Sequence, residues 1–199
     1  MKAFQKTIAL ALLLVASTLT AVAKDAIPTV TIEKSGYEKK ISVIIEHLKV
    51  PASVQITSTR GSVLEIEASE GERFAKIFNV SNLEDGTYRV VVVMPSNEIV
   101  QPFSIKANKL ELKPSEREVF FAPTLSWKNQ ALDVMMFNNR LVDVNVKLFD
   151  EYGNTVFEDS MQNVLKVERR YNLNELNRGK YTVQVETPHK AYFKNIVVK

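Results

Sequence analysis

LEDGTYRVVVV, residues 83–93, and LNRGKYTVQVE, residues 176–186, are the two stretches that decide the predicted fold. Each contains the pattern Leu-x-x-Gly-x-Tyr and continues into residues that favour β-strands. The two tyrosines, Tyr88 and Tyr181, are 93 positions apart. A pattern that returns at a fixed distance indicates an internal repeat.

Three further matches occur in the same order along the chain. The stretch from Val54 to Gly61 corresponds to Val146 to Gly153 at an offset of 92, and the other two pairs have offsets of 95 and 93. We therefore predict a duplication whose copies differ only in loop length. The other two pairs are Pro28–Ile32 with Pro123–Trp127, and Phe103–Lys106 with Ile196–Lys199.

Each repeat contains about seven short runs of alternating apolar and polar residues, separated by turn-forming residues every 8–12 positions, as in a β-sandwich. In the first repeat the predicted strands are 28–34, 40–46, 52–58, 62–68, 73–79, 87–94 and 98–105. In the second they are 123–127, 131–137, 143–149, 154–158, 164–171, 180–186 and 191–198. The residues predicted to be buried are Val54, Ile56, Val90, Val92, Phe103, Val146, Leu148, Val183, Val185 and Ile196.

A leucine, a glycine-containing turn and a tyrosine that begins a strand suit the corner where a sandwich chain passes between sheets. We expect each tyrosine hydroxyl to bond to upstream backbone, its ring to cap the core, and the glycine to adopt a positive φ. These residues resemble the tyrosine corner of immunoglobulin-like and fibronectin type III domains. The fold class is therefore predicted as all-β, with two tandem immunoglobulin-like antiparallel β-sandwiches. The corner residues, expected to be structural, are Leu83, Gly86, Tyr88, Leu176, Gly179 and Tyr181.

The N-terminus has the features of a secretory signal peptide. Two lysines precede an apolar run that ends in Ala21-Val22-Ala23, which predicts cleavage between Ala23 and Lys24. A membrane anchor is less favoured because the apolar core, residues 8–15, is too short to span a bilayer. The predicted organisation is a signal peptide at 1–23, a first sandwich at 24–106, and a connector with the second sandwich at 107–199. The connector is expected to be exposed, although Leu110 and Leu112 would allow part of it to pair as an additional strand.

Composition excludes several classes of function. The chain has 26 basic and 23 acidic residues, and loss of the signal peptide removes two lysines, so the net charge becomes about +1. Nucleic acid and anionic membrane are therefore poor partners, and no transmembrane anchor is expected after cleavage. There is no cysteine, which excludes disulfides and a lipid-modified cysteine and fits an exported bacterial protein.

The sequence offers no constellation typical of an enzyme. His47 and His189 lie in different repeats and are expected to be exposed beside loops, so neither a metal nor another cofactor is predicted. The Asp150–Asn154 stretch could form an oxygen-only calcium site, but a hairpin turn is favoured. Glu65 and Glu67 are expected on a solvated strand face. We predict that the protein is not an enzyme.

Two further residues invite a functional interpretation. Trp127 could form a sugar-binding platform, but core packing is favoured because Ile32 takes its place in the first repeat. Pro102 lies inside the last strand of the first repeat, which predicts an edge strand or a bulge, since proline cannot donate to a ladder.

The second repeat, over roughly its last sixty residues, resembles the C-terminal sorting module of type IX secretion cargo. The matching stretches are Val144–Phe157 (VNVKLFDEYGNTVF), Leu176–Glu186 and Phe193–Lys199 (FKNIVVK). The resemblance implies a small sandwich that routes a protein through the outer membrane.

The predicted function is that of an exported, non-enzymatic binding, adhesion or structural protein of a Gram-negative bacterium, with a protein or glycan partner that the sequence does not identify. It would act in the periplasm, at the cell surface or outside the cell. The main alternative is a type IX substrate whose second repeat is a sorting signal. A two-domain periplasmic pilus chaperone is less favoured because the first repeat lacks a long alternating donor strand.

Overall fold

The computed structural model describes residues 27–36, 38–69 and 71–199. The predicted signal peptide and its cleavage position between Ala23 and Lys24 lie outside the described residues. Within those ranges the chain is all-β apart from one 3-10 turn at Pro114–Glu116. The fold class is that of two tandem immunoglobulin-like antiparallel sandwiches, as predicted.

The first sandwich contains seven strands at the predicted places, each within two residues of its predicted ends. One sheet has the order β1-β2-β5, and the facing sheet begins with β4-β3-β6-β7. These strands are β1 (Thr29–Lys34), β2 (Lys40–Glu46), β3 (Ala52–Ser58), β4 (Val63–Ser69), β5 (Phe74–Asn79), β6 (Gly86–Met94) and β7 (Asn97–Lys106).

The connector adds two strands to the first sandwich. β8 (Lys109–Leu112) and β9 (Glu118–Phe121) both pair antiparallel with β7, one after the other along the same edge. The additional strand that Leu110 and Leu112 suggested is present as β8, and Leu110 is buried. Most of residues 106–116 are exposed, as expected, whereas β9 is half-buried, because the connector covers an edge that β7 would otherwise expose. Both connector strands pair with the sheet of the first sandwich, and the domain boundary at residue 106 stays a prediction.

The second sandwich repeats the arrangement of the first. Its sheets have the orders β10-β11-β14 and β13-β12-β15-β16, which correspond strand for strand to β1-β2-β5 and β4-β3-β6-β7. The largest error in the predicted ends is three residues, at the end of β13. The strands are β10 (Thr124–Lys128), β11 (Ala131–Phe137), β12 (Val144–Phe149), β13 (Thr155–Met161), β14 (Lys166–Asn172), β15 (Gly179–Glu186) and β16 (Ala191–Val198).

Each sandwich has its own hydrophobic core. All ten residues predicted to be buried are at most 3% exposed, so the predicted alternation of the strands is confirmed. Burial of apolar side chains between two sheets is the main favourable term in the stability of such a sandwich.

Pro102 lies at a gap between the two connector strands. β9 pairs with residues 97–100 of β7 and β8 pairs with residues 103–106, so positions 101 and 102 have no ladder partner on that side. The prediction of an edge strand was wrong, because β7 is flanked on both sides. The proline is tolerated at the gap because the ladder there needs no donor.

A buried polar side chain fills this gap. Gln101, which is fully buried, donates from Nε2 to the Lys113 carbonyl at 2.7 Å and accepts from Arg117 Nε at 3.0 Å. Arg117 Nη1 also donates to the Val30 carbonyl at 3.2 Å. The network replaces the missing ladder bonds and ties the connector to β1 of the opposite sheet.

Candidate functional site

The predicted corner residues lie where the chain enters a long strand of each sandwich, β6 in the first and β15 in the second. The Tyr88 hydroxyl donates to the Glu84 carbonyl at 3.1 Å, and the Tyr181 hydroxyl donates to the Asn177 carbonyl at 2.9 Å. Leu83 and Leu176 are partly buried against their respective cores. These residues contact core and backbone, and their contribution to stability remains a prediction.

The glycines of the two corners differ from expectation. Gly86 and Gly179 begin β6 and β15 and do not have a positive φ; the positive-φ glycines of the described chain include Gly61 and Gly153 in the matching hairpins. A Cβ at Gly86 would lie 3.5 Å from the Tyr88 ring. The corner glycine therefore borders the tyrosine ring, and backbone strain does not explain it.

The two histidines have different surroundings. His47 is exposed in a loop, as predicted. His189 lies in an exposed turn, but its side chain is only 29% exposed and its Nε2 is 3.0 Å from the Glu98 carboxylate. No sequence pattern indicated this contact, because the partner is 91 positions away and belongs to the other sandwich.

Glu98 and His189 form the centre of the junction between the two sandwiches. The Lys190 ammonium also pairs with Glu98, and the His189 ring stacks on Phe120 with centroids 3.7 Å apart. The hydrogen bond from His189 and the nearby Lys190 lower the pKa of Glu98 to about 2, although burial opposes this shift. Burial and the Glu98 charge raise the pKa of Tyr192 beside them.

The Asp150–Asn154 stretch forms a hairpin turn. One Asp150 oxygen accepts from the backbone N–H groups of Tyr152 at 2.9 Å and Asn154 at 2.8 Å, and Gly153 has a φ of 84°. The Asp150 side chain thus supports the turn, and the bond from the Asn154 side chain lowers its pKa. No group of three or more His, Cys, Asp or Glu that could hold a metal ion occurs in the described ranges.

Trp127 packs partly against the core of the second sandwich, in line with the favoured interpretation. Its indole Nε1 donates to the Val197 carbonyl at 3.2 Å, so the ring bridges the edge strands of the two sheets.

The outer surface of the first sandwich carries a row of aliphatic side chains that sequence reasoning missed. Ile66 and Ala68 of β4 and Val91 and Val93 of β6 form this surface, which we call the apolar face, with the polar Ser53 and Gln55 of β3 between them. Val100 of β7 continues the face beside Val91 and is itself buried. Val91 and Val93 alternate with the core residues Val90 and Val92, and the register places the β4 residues on the same outer side. Ile66 is 56% exposed.

The corresponding surface of the second sandwich is polar. In the shared register Glu158, Gln184 and Glu186 take the places of Ile66, Val91 and Val93. Lys147 lies between them, with its Nζ 3.3 Å from Glu158 and 4.0 Å from Glu186.

Phe193, at the place of Val100, is an exposed apolar residue on that second surface. Glu158, Gln184 and Glu186 at the other equivalent places show that this sandwich forms without an apolar outer surface. The sequence signal was the unbroken run Val90–Val93, where the second repeat alternates between valine and polar residues.

The other side of β4 carries acidic residues. Glu65 and Glu67 are paired in register with the core residues Ile56 and Val54, so they lie on the side of the sheet that faces the opposite sheet. Both bind the Lys76 ammonium of β5, Glu65 at 3.0 Å, and this raises the pKa of Lys76, chiefly through the bond with Glu67. Both carboxylates sit at the rim between the two sheets and remain partly solvated, as expected, but they are also paired with Lys76, which the sequence did not predict.

The apolar face continues into a groove of about 920 Å³ between the two sandwiches. Ser53, Ala68 and Val93 form part of its floor, and residues 190–194 of the second sandwich form a wall. The junction around Glu98 closes one side of this groove. The described chain contains no helix that is long and apolar enough to cross a membrane.

One comparison with known proteins concerns the second sandwich. Residues 128–199 match the family model of a secretion system C-terminal sorting domain. No curated protein matches this chain.

Several solved structures are similar to the chain at low identity. The BSP domain of a biofilm associated protein has 13% identity and a TM-score of 0.29 over 86% of this chain and 29% of that chain, so this chain spans less than a third of that protein. A two fibronectin type-III domain segment from chicken tenascin has 9% identity and a TM-score of 0.29 over 86% and 98% of the two chains. The human OSCAR ligand-binding domain has 10% identity and a TM-score of 0.25 over 86% and 97%.

At these TM-scores the solved structures carry no argument about function, and the fold is established by the sheets described above. The family match covers the same part of the chain as the resemblance noted in the sequence. Residues 128–199, which form most of the second sandwich, are therefore similar to secretion system C-terminal sorting domains, as that resemblance predicted.

Proposed function

We propose that this protein is an exported, non-enzymatic binding protein that holds a protein partner on the apolar face of its first sandwich. The observation that carries the proposal is the difference between the two repeats at equivalent outer positions. Val91 and Val93 are apolar where the second sandwich has Gln184 and Glu186. Two copies of one fold thus differ in the surface that a partner would meet.

Aliphatic side chains on an outer sheet surface are unfavourable in water unless something covers them. Apolar patches on soluble proteins mark interaction sites more often than single exposed apolar residues do. The side chains of the face itself are aliphatic and offer no ring on which a sugar could stack. Tyr192 and Phe193 line the groove wall of the second sandwich instead, and Trp127 is held against the second core. A protein partner is therefore favoured over a glycan.

The junction supports a non-enzymatic role. The carboxylate with the most clearly lowered pKa, Glu98, is engaged by both His189 and Lys190. An acid held in this way as an ion pair cannot act as a general acid or base without breaking the junction. Glu98 thus serves to hold the two sandwiches together.

The test replaces the valines of the apolar face with polar side chains. The double variant Val91→Gln with Val93→Gln is expected to fold normally, because both side chains lie on the outer side of β6 and a glutamine at position 93 adds no charge opposite Glu98. In the native host, a photo-cross-linking residue at position 91 is expected to capture one defined protein, and that protein, once purified, should bind the wild type but not the double variant.

The matched control places the cross-linking residue at position 184 of the second sandwich. Equal capture at positions 91 and 184, or unchanged affinity of the purified partner for the double variant, would contradict the proposal.

A second candidate function is supported by the family match over residues 128–199. In this proposal the second sandwich is the sorting signal of a type IX secretion substrate, and the first sandwich is the cargo. Cell fractionation with intact-mass measurement tests it. Deletion of residues 123–199 is expected to leave the first sandwich in the periplasm, whereas normal delivery of the shortened chain to the surface or medium would rule the role out.

A further inference from the structure

We propose that β4 accepts an extended segment of the partner protein as an additional strand, and that this segment alternates apolar and basic side chains. The inference rests on the proposed binding function of the first sandwich and adds the geometry and chemistry of docking. Strand addition at a sheet edge supplies affinity through backbone hydrogen bonds and specificity through alternate side chains.

The topology leaves β4 as an available edge of its sheet. The order β4-β3-β6-β7-β8 ends in β4 on one side and in the connector strands β8 and β9 on the other. β8 and β9 have only four residues each, whereas β4 has seven, so β4 is the long edge of the sheet in the described structure. The pairing of β3 with β4 shifts register near Leu64, so the irregular part of β4 is confined to its start. Residues 65–69 then form a regular edge with unpaired backbone groups.

The two sides of β4 have opposite character. Ile66 and Ala68 extend the apolar face, and Glu65 and Glu67 point to the rim between the sheets. A strand added beside β4 would place alternate side chains next to each of these sets. Apolar residues suit the outer side, and opposite charge suits the rim, because cross-strand pairs of opposite charge are favourable and like pairs are not.

The rim carries one more negative charge than positive. Two carboxylates share the single Lys76 ammonium, and the Glu65 and Glu67 side chains remain 37% and 43% exposed. Inward-pointing charges protect an edge from indiscriminate pairing, and here they would admit a basic strand while rejecting an acidic or fully apolar one. This charge complementarity defines the chemistry of the incoming segment.

A second copy of this chain fits the edge poorly. Antiparallel pairing of two β4 strands about Ile66 would bring Glu65 of one copy opposite Glu67 of the other, and this would occur twice. The edge of the second sandwich differs as well, since β13 has Phe157 at the place of Glu65 and Glu158 at the place of Ile66. The proposal therefore applies to β4 and not to β13.

The test uses the full chain without its predicted signal peptide and a capped peptide of about eight alternating valines and lysines, the length of an ordinary strand. The peptide is expected to bind and to slow hydrogen exchange of the β4 amides. The double variant Glu65→Gln with Glu67→Gln should weaken binding by about tenfold or more, because Lys76 would then repel the peptide lysines. Glu158→Gln in β13 is the matched control and should bind like the wild type.

A peptide of alternating valines and glutamates is the opposite-charge control and is expected to bind more weakly than the valine–lysine peptide. Equal binding of the two peptides, absence of binding, or protection at strands other than β4 would overturn the proposal, as would a dimer formed through β4 without peptide. If Val91→Gln with Val93→Gln abolishes binding of the purified native partner while that partner leaves β4 of the wild type unprotected, the binding function stands and strand addition fails. If β4 binds the peptide but no native partner is captured, the binding function fails instead.

Discussion

The His189 imidazole of the second sandwich lies 3.0 Å from the Glu98 carboxylate of the first. The same ring stacks on Phe120, whose strand β9 is paired with the strand of Glu98. One turn of the second sandwich is therefore fastened to two neighbouring strands of the first. This contact fixes the wall of the groove that borders the apolar face.

The junction should make stability depend on pH through Glu98. Its pKa is about 2 in the folded state, below the usual value of 4.5, so the ionised form stabilises the fold. This contribution is complete above about pH 4.5 and is lost as the pH falls toward about 2. Glu98→Gln should therefore remove part of the pH dependence between these values, measured as urea unfolding across a pH series.

The charged and titratable groups around Glu98 are His189, Lys190 and Tyr192, so each belongs in the interpretation of that series. Glu158→Gln, on the outer surface of the second sandwich, is the control. An equal effect of both variants would show that the pH dependence does not arise at the junction.

Phe120→Ala should loosen the junction without unfolding either sandwich. The variant removes the ring that stacks on His189 and that also lies 5.8 Å from the Arg140 guanidinium. Such an aromatic pair is worth about 1 kcal/mol beyond its buried area. Hydrogen exchange should accelerate in β9 and in the 187–190 turn, while the core amides of both sandwiches stay protected. Faster exchange throughout both cores would assign Phe120 to folding instead.

The tyrosine corners should each stabilise their own sandwich. Tyr181→Phe and Tyr88→Phe each remove one hydroxyl bond to backbone, a loss of about 1 kcal/mol. The effect should be larger at Tyr181, because that residue is buried whereas the Tyr88 bond is exposed. Denaturant unfolding measures it, with the fluorescence of Trp127, the single tryptophan, reporting the second sandwich.

Tyr152→Phe is the control for the corners, since that ring is 82% exposed in the 150–154 hairpin. Unchanged stability in both corner variants would remove the structural role predicted for them.

Gln101→Leu should destabilise the first sandwich. The substitution leaves the Lys113 carbonyl and the Arg117 guanidinium without the partner that they have in the buried gap. A buried polar group left unsatisfied costs about 1–3 kcal/mol. Gln55→Leu, on the outer surface of β3, is the matched change and should alter the unfolding free energy much less. Equal effects would mean that the gap network contributes little.

The strands were predictable because local alternation determines which residues can face a core. All ten residues predicted to be buried are buried. The internal repeat also predicted correctly that equivalent residues of the two sandwiches face their cores. The connector was only partly predictable. Its strand β8 follows a visible alternation around Leu110. β9 (EVFF) contains strand-favouring residues, but its four residues do not alternate, and its pairing depends on the edge that β7 offers.

The candidate site was largely invisible in the sequence, although one signal was present. The run Val90–Val93 breaks the alternation that Val183–Glu186 keeps, and this break marks the apolar face. Nothing in the sequence pairs Glu98 with His189, because the two residues are distant in the chain. Nothing in it assigns Glu65 and Glu67 to the rim either, because that depends on which side of β4 faces the opposite sheet.

The sequence by itself determined the duplication, the strand positions and the two cores, because period-two alternation and turn residues act locally and are written into each strand. Only the tertiary structure decided which edges are covered, which residues lie at the rim between the sheets, and how the turn with His189 meets β7. Those features depend on which strands become neighbours. The free energy of such pairing comes from contacts between residues that are far apart in the sequence, so no local pattern records it.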